Sequence, residues 1–330
     1  KELVRRRPGV EVAYLNGDAT PAQLKELGIS GLDYHFNHFN KNLDLTNQAH
    51  QSGISVNVWT VNDPVMMKRV TGMGVDYITT DKPLLAQQMI KEYAEKYTEV
   101  NNPQVDLSGF AKDKKGVITI FDGSSMKGWR GYMRSDVSDK WIIEDGCLKF
   151  DSKKQGRGGD ILFAHKFKNF ELEIEWKISQ GGNSGIFYLV REIRGQSTAA
   201  SAPEFQVLDN DNHPDAKMGK DGNRKAASLY DMISANPQNA KPYGKWNKAK
   251  IVVNNGVVTH YQNGKKVVQY TLWTPEWIKM LENSKFSVNG WTDAYYLLSN
   301  CGGIEREGYI SLQDHGDDVW YRNIKIKILE

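Results

Sequence analysis

The sequence lacks long hydrophobic runs, blocks of like charge and closely spaced cysteines. No stretch reaches the roughly 18 apolar residues of a membrane-spanning helix, so we expect no membrane span. The net charge of +3 has no basic stripe behind it except Arg5–Arg7, which argues against a nucleic-acid partner. Cys147 and Cys301 lie far apart without a metal-binding spacing, and the sequence leaves two buried thiols and one disulfide as alternatives.

The first part of the chain alternates short apolar strands with helices. In residues 20–28, TPAQLKELG predicts a helix with Thr20 as its N-cap and Pro21 in its first turn. Further strand-like stretches follow, each separated from the next by a helical one. Such an order is typical of βαβ units, so residues 1–97 are predicted to form a parallel sheet.

The second part has a different periodicity. From about Gly116 onward, short strand-like runs follow one another across turns rich in Gly, Asn and Asp. The run FELEIEWKI, 170–178, alternates apolar and polar residues, which is typical of a strand with one buried face. We therefore predict an antiparallel all-β sandwich or jelly roll over residues 116–330. The polar, turn-rich residues 98–115 between the two parts are interpreted as a linker.

The first part resembles a known enzyme family. The segments WTVN, 59–62, and GVDYITTDKP, 74–83, resemble the closing portion of the glycerophosphodiester phosphodiesterase family. The resemblance implies a (β/α) barrel, but only about four βα units are present, whereas closure takes about eight. Residues 1–97 are thus expected to be a partial barrel, and we expect either a missing segment or a partner to complete it.

The partial barrel is expected to be inactive. The resemblance implies a catalytic set of a His-Arg-Gly segment, a metal-binding Glu-x-Asp pair and a second His. The sequence contains no such segments. His35 and His38 are interpreted as polar residues at a strand end, with remnants of a phosphate pocket as the alternative.

One strand of the second part carries an unusual polar face. In PEFQVLDNDNH, 203–213, Glu204 and Gln206 alternate with Phe205 and Val207. Because side chains alternate along a strand, Glu204 and Gln206 are predicted to share one face. Asp209 then follows at the strand end. A face of this kind either meets water or lines a cleft.

Four motifs of the second part together resemble the 3-keto-disaccharide hydrolase family. They are, in order, GGNSGIFYLVRE, 181–192; PEFQVLDN, 203–210; ASLYDMI, 227–233; and ISLQDHGDDVWYRNIKI, 310–326. The resemblance covers residues 116–330 and implies a concanavalin-like jelly roll whose concave face binds a glycan. It also implies a substrate that carries a ketone at C3 of a sugar.

That ketone suggests the chemistry. It acidifies the hydrogen at C2, so the C1 substituent can leave by β-elimination and water can then add, with direct hydrolysis as the alternative. His315 is the leading candidate for the base, since an imidazole titrates near neutral pH. Glu204 is the alternative base or acid, Tyr230 a phenol donor, and Asp231 its carboxylate partner. The candidates for binding the sugar are Gln206, Asn183, Gln313, Asp209 and Arg322.

Several alternatives stay open. The sequence identifies no cofactor with certainty, and Glu204, Asp209, His213 and His315 offer ligands for a divalent metal such as Ca²⁺ or Zn²⁺. The favoured function is an enzyme that cleaves 3-keto-glycosides. A non-catalytic carbohydrate-binding module and a truncated glycerophosphodiester phosphodiesterase are the alternatives. The family resemblance suggests a periplasmic or extracellular location. The remaining histidines of the strands, among them His260, are interpreted as surface residues.

Overall fold

A computed structural model describes residues 2–330, which form two compact units. The first unit contains residues 2–98, together with Trp273–Lys279 and Gly303–Glu305. The second contains Glu99–Leu272, Met280–Gly302 and Arg306–Glu330. None of the helices in the described residues has the length and apolarity of a membrane-spanning segment.

The first unit is built on a parallel sheet of four strands. These are β1 (Ala13–Tyr14), β2 (Gly31–His35), β3 (Ser55–Trp59) and β4 (Tyr77–Ile78), hydrogen-bonded in that order. The helices are α1 (Glu2–Arg6), α2 (Pro21–Glu26), α3 (Phe36–Lys41), α4 (Leu45–Gln51), α5 (Pro64–Gly72) and α6 (Pro83–Lys96). The predicted partial barrel of about four βα units is confirmed.

Local signals in the first unit act as the sequence predicts. The Thr20 side chain accepts the backbone N–H of Gln23, and the Gln23 side chain accepts the backbone N–H of Thr20. This reciprocal pair satisfies two of the unpaired donors at the start of α2. His35 also has a structural contact, because its Nδ1 accepts the backbone N–H of Asn37 at the start of α3.

The second unit is a sandwich of two antiparallel sheets, in agreement with the predicted jelly roll. The order of the larger sheet is β15-β14-β13-β10-β17-β8-β7, with β5 also paired to β17, and that of the smaller is β12-β11-β16-β9-β6. The strands of the larger sheet are β5 (Val117–Phe121), β7 (Trp141–Glu144), β8 (Cys147–Phe150), β10 (Phe170–Ile178), β13 (Asn247–Asn254), β14 (Val257–Gln262), β15 (Lys265–Thr271) and β17 (Val319–Ile328). Those of the smaller are β6 (Trp129–Gly131), β9 (Ile161–Phe167), β11 (Asn183–Val190), β12 (Glu204–Leu208) and β16 (Gly308–Leu312).

Short helices complete the chain between these strands. They are α7 (Thr198–Ser201), α8 (Pro275–Glu282), α9 (Thr292–Ser299) and 3₁₀ turns at Leu107–Gly109 and Pro214–Lys217. The α7 segment packs on an apolar cluster of the five-stranded sheet that includes Leu162, Phe187 and Tyr309.

Polar groups join the two sheets inside the core. The Ser184 hydroxyl of β11 lies 2.8 Å from the Tyr321 hydroxyl of β17, and the Tyr188 hydroxyl of β11 lies 2.8 Å from Nε2 of His260 on β14. The interpretation of His260 as a surface residue is wrong, since its side chain is completely buried. Its pKa falls to about 4 because burial disfavours the imidazolium, so a neutral ring occupies the core.

The segment interpreted as a linker pairs with the second unit. The backbone N–H of Val100 donates to the carbonyl of Glu192, and that of Val105 donates to the carbonyl of Ala164. The Asn102 side chain also donates to the Glu192 carboxylate at 2.8 Å. These bonds satisfy backbone groups that would otherwise need water, and they order residues beyond Glu99 along the sandwich. Both cysteines are buried, and Cys147 and Cys301 are not joined by a disulfide.

Candidate functional site

The polar strand identified in the sequence is β12, at the edge of the five-stranded sheet. Phe205 faces the core, where its ring lies 4.9 Å from that of His260. Glu204 and Gln206 therefore point to the opposite face of the sheet, as the alternation predicts. Gly185 of β11 lies opposite Gln206, and its carbonyl accepts the backbone N–H of Gln313 beyond β16. We call the surface formed by Glu204, Gln206, Gly185 and Gln313 the site face.

The Glu204 side chain extends over Gly185. A Cβ at residue 185 would overlap the Oε1 atom of Glu204. The backbone of Gly185 is not in a conformation that requires glycine, so the close approach of the carboxyl explains why no side chain fits there.

The Glu204 carboxyl is buried without a hydrogen-bond donor. Glu204 is 7% exposed, and its carboxyl oxygens accept no hydrogen bond from residues 2–330. Burial raises its pKa to about 8, and the nearby carboxyls of Asp160 and Asp215 act in the same direction. The ammonium of Lys285 opposes the rise. A carboxyl of this kind can both take and release a proton near neutral pH.

Lys285 lies among aromatic rings, and its ammonium interacts electrostatically with the Glu204 carboxyl. Its Nζ atom is 4.2 Å from the centroid of the Tyr230 ring and 5.1 Å from that of Phe286. Burial lowers the pKa of the ammonium, while the charges of Glu204 and Asp231 oppose that change. The arrangement presents a partly desolvated cation to the site face.

An ion-pair network fixes the position of Lys285 and Tyr230. The Asp231 carboxylate accepts the backbone N–H of Lys285 at 2.7 Å and the Nε of Arg224 at 2.5 Å. Arg224 also donates to Asp215 at 2.9 Å, and the Tyr230 hydroxyl donates to Asp215 at 2.8 Å. Burial, followed by the Asp215 carboxylate, raises the pKa of Tyr230. Asp231 and the Tyr230 hydroxyl therefore have structural partners already.

A second carboxyl borders a cavity next to the site face. Asp160 precedes β9 and accepts the backbone N–H of Asp314 at 2.9 Å. Burial raises the pKa of Asp160. A cavity of about 260 Å³ adjoins it, lined in part by Tyr132, Arg134 and Thr198. This volume suits a small polar ligand such as one sugar ring.

His315 lies at the end of the site face beyond β16. Its Nε2 is 3.4 Å from the side-chain nitrogen of Asn183, the first residue of β11. The Asp317 carboxylate accepts the backbone N–H of Asn183 at 3.0 Å, and the His213 ring lies 6.2 Å from that of His315. His315 is exposed, whereas Asn183 is 4% exposed. Within the described residues His315 makes no hydrogen bond or ring contact with Glu204, although both interact electrostatically with Asp160.

Of the other residues predicted to bind the sugar, two lie on the site face and one stabilises a turn. Asp209 accepts the backbone N–H of Gly181 at 2.8 Å and the side-chain amide of Asn212 at 2.7 Å, so it holds a turn. Gln206 and Gln313 both belong to the site face, and the Gln313 Oε1 is buried without a partner in the described chain.

Arg322 lies on the other sheet, outside this cluster. It donates to Glu175 of β10 at 2.8 Å and stacks 3.9 Å from the Trp246 ring. Glu175 also lines a larger groove of about 630 Å³, whose walls carry surface charges of both signs, such as those of Glu173 and Lys248. The groove lacks a buried titratable group, so we place the site at Glu204 and not there.

Sequence reasoning missed Lys285, Asp160, Asp215 and Arg224. Asp160 has only a weak local signal, since it immediately precedes the apolar run Ile161–Ala164. Lys285 has no periodic signal, since it lies in a loop after α8. Its two aromatic neighbours, Phe286 and Trp291, are the local hint.

The fold and this cluster define a jelly-roll sandwich with titratable and amide groups on one sheet face. Residues 116–327 match the family of 3-keto-α-glucoside-1,2-lyase-like domains, and the chain belongs to that family. Residues 8–85 match the glycerophosphoryl diester phosphodiesterase family. Both predicted resemblances are thus confirmed.

Two relatives illustrate the match. A 3-keto-disaccharide hydrolase from Bacteroides thetaiotaomicron is 54% identical over 259 residues, covering 74% of this chain and 89% of the relative. A crystal structure from Parabacteroides distasonis, described as a candidate glycosyl hydrolase, is 28% identical with a TM-score of 0.55 and covers 66% of this chain and 95% of its own. The prediction of a carbohydrate-active enzyme is therefore confirmed at the level of the family.

Proposed function

We propose that the second unit cleaves 3-keto-glycosides by β-elimination followed by hydration, with Glu204 as the group that moves the C2 proton. The observation that carries this proposal is the buried Glu204 carboxyl, which lies over Gly185, has no hydrogen-bond donor in the described chain and interacts electrostatically with the Lys285 ammonium. The family and the hydrolase relative support a 3-keto sugar as the substrate class.

The first step is elimination. Glu204 removes the proton at C2, and the electron pair moves toward the C3 ketone to give an enolate. The enolate then re-forms the ketone and a C1=C2 double bond while the C1–O bond breaks. The leaving oxygen takes the bonding pair and receives a proton from an acid.

The second step is hydration. One water adds across the C1=C2 bond, with its hydroxide at C1 and a proton at C2. Glu204, protonated in the first step, can return that proton, and the proton that the water loses restores the acid that protonated the leaving oxygen. The sum of both steps is hydrolysis of the glycoside, without a carboxylate nucleophile. This accounts for the presence of Gln206 where the two-carboxylate mechanism would need a second acid.

The neighbouring groups suit the remaining tasks. The Lys285 ammonium can stabilise the developing charge on the C3 oxygen, since a desolvated cation acts strongly there. Asp160 has a raised pKa and adjoins the cavity, so it can protonate the leaving oxygen. The side-chain amides of Gln206 and Gln313 can bind sugar hydroxyls.

The geometry favours Glu204 over His315 as the base. Glu204 is buried on the site face with its carboxyl oxygens free, whereas His315 is exposed at the end of that face and lies against Asn183. Proton abstraction from carbon needs a desolvated base held in one position.

The test uses a 4-nitrophenyl 3-keto-glucoside with and without deuterium at C2. We expect nitrophenol release by the full chain, slowed by deuterium, and a large loss of rate in Glu204→Gln. Release without an isotope effect in single-turnover measurements would contradict elimination. Binding of the glycoside without release would instead favour a carbohydrate-binding module. We also propose a periplasmic or extracellular location from the family alone, to be tested by cell fractionation.

A further inference from the structure

Three metal-ligating side chains meet beyond one end of the five-stranded sheet. His213 follows β12, and His315 and Asp317 follow β16. One ligand atom from each lies within 4.8 Å of those of the other two. The strands β12 and β16 both run antiparallel to β11, which lies between them. The loops that follow β12 and β16 therefore lie beside the start of β11, at the same end of the strands.

A fourth ligand begins the strand between them. Asn183 is 4% exposed, and its Oδ1 is buried without a hydrogen-bond partner in the described chain. The nitrogen of the same amide lies 3.4 Å from Nε2 of His315, and the backbone N–H of Asn183 donates to Asp317. A half-turn of the amide would bring the unpaired oxygen next to the imidazole nitrogen. Buried polar atoms normally have hydrogen-bond partners, so the unpaired Oδ1 of Asn183 indicates that this atom binds a ligand.

We propose that His213, His315, Asp317 and the side-chain oxygen of Asn183 bind one divalent transition-metal ion of the Zn²⁺ or Co²⁺ type. Two imidazoles, a carboxylate and an amide oxygen form a mixed set of nitrogen and oxygen ligands. Such a set favours Zn²⁺ or Co²⁺, whereas Ca²⁺ prefers oxygen ligands alone. Two ligand atoms about 2.1 Å from a tetrahedral ion lie about 3.4 Å apart. Movements of around an ångström would close the observed cluster to that spacing.

Binding has an identifiable cost. The Nδ1 of His213 accepts the backbone N–H of Asp215 at 3.1 Å, so its Nε2 carries the proton when the ring is neutral. Coordination through Nε2 requires the other tautomer and the loss of that hydrogen bond. This hydrogen bond contributes far less free energy than a metal–imidazole bond. Replacing the hydrogen bond by coordination therefore favours metal binding.

This ligand set differs from the one that the sequence suggests. Asp209 is committed to the turn at Gly181, and Glu204 lies over Gly185 with no contact to this cluster among the described residues. Asp317 and Asn183 take their places. The proposed site does not rest on the proposed function, because its ligands exclude Glu204 and Lys285.

The experiment measures metal binding directly. The full chain is stripped with a chelator and titrated with Zn²⁺, and separately with Ca²⁺, by calorimetry, with bound metal counted by elemental analysis. We expect one Zn²⁺ per chain and much weaker binding of Ca²⁺. Co²⁺ should give the visible absorption of a tetrahedral site. A wild-type chain that binds no Zn²⁺, or that prefers Ca²⁺, would overturn the proposal.

Variants identify the ligands. His315→Ala and Asp317→Asn should each weaken Zn²⁺ binding by about 100-fold or more, and Asn183→Asp should preserve or strengthen it because a carboxylate oxygen replaces the amide oxygen. His165→Ala is the control, since His165 bonds to the carbonyl of Val105 away from the cluster. Circular dichroism confirms that each variant is folded. Equal Zn²⁺ affinity in His315→Ala and His165→Ala would assign the ion elsewhere.

Discussion

The Glu204 carboxyl lies against the backbone of Gly185 on the neighbouring strand, so that any side chain at residue 185 would displace it. Gly185 lies between Gln206 of β12 and Gln313, which follows β16, and this makes Gly185 the floor of the site face. The size of one residue thus determines where the proposed base sits.

Gly185→Ala is therefore expected to inactivate the enzyme without unfolding it. The added methyl group pushes the Glu204 side chain away from the substrate, and a displacement of about 1 Å can cost about 100-fold in rate. Nitrophenol release from the 3-keto-glucoside measures kcat and KM. Gly109→Ala is the matched control. The atom nearest to a Cβ at residue 109 is the end of the flexible Lys127 side chain, which can move aside. Similar activity in both variants would contradict the assigned role of Gly185.

Glu204→Gln should lose activity but gain stability at high pH. Burial raises the pKa of Glu204 from 4.5 to about 8, so the folded protein binds this proton more tightly than the unfolded chain does. The wild-type protein consequently loses stability as pH rises from about 4.5 through about 8, while the amide variant has no such ionisation.

The difference between the two thermal midpoints should be small at pH 5 and reach about 3 °C or more at pH 9 in favour of Glu204→Gln. Activity should fall by about 10²- to 10⁴-fold. The control is Glu173→Gln, since the Glu173 side chain is 60% exposed on the other sheet. A midpoint difference that does not change with pH would show that Glu204 is ionised throughout.

The sequence predicts the position of a site residue only where that residue lies on a strand with alternating side chains. The alternation of β12 predicts the shared face of Glu204 and Gln206, because side chains of a strand alternate regardless of context. Lys285 reaches the same place through a loop held by Asp231, and no local pattern reports such a long-range contact. His260 was misplaced for a related reason, since its partner Tyr188 belongs to the opposite sheet.

Fold class followed more easily than the site. Helix caps such as that at Thr20 and the strict alternation of Phe170–Ile178 are local signals, and they specify element type before any tertiary contact forms. The pairing of residues beyond Glu99 with the sandwich was not visible, because polar composition alone does not reveal backbone hydrogen bonds to a distant strand.

Lys285→Met should reduce kcat far more than it raises KM. The variant keeps much of the side-chain volume but removes the positive charge that would stabilise the enolate, with an expected loss of about 10²- to 10³-fold in kcat. Lys177→Met is the matched control, as Lys177 Nζ lies 4.4 Å from the Trp320 ring on the outer face of the other sheet. If both variants retain wild-type kcat, the ammonium has no part in the reaction.

Arg322→Ala should leave turnover unchanged, despite the expectation that Arg322 binds the sugar. Its guanidinium is paired with Glu175 and stacked on Trp246 in the larger sheet, away from the site face. The pair is partly exposed, so its removal should alter stability by only about 0–1 kcal/mol. Steady-state kinetics and thermal unfolding check both statements. A raised KM in Arg322→Ala would show that substrate extends to the other sheet.

Two variants of Tyr230 separate its hydroxyl from its ring. The hydroxyl donates to Asp215, whereas the ring lies 4.2 Å from the Lys285 ammonium. If the ring matters because it positions Lys285, Tyr230→Phe should retain activity within about tenfold, because only one hydrogen bond is lost. Tyr230→Leu should lose substantially more, since it also removes the cation–π contact. The reverse result, an inactive Tyr230→Phe with a folded structure by circular dichroism, would make the phenol the proton donor. In that case Asp160 would have no part in protonating the leaving oxygen, and Asp160→Asn should then keep its rate of nitrophenol release.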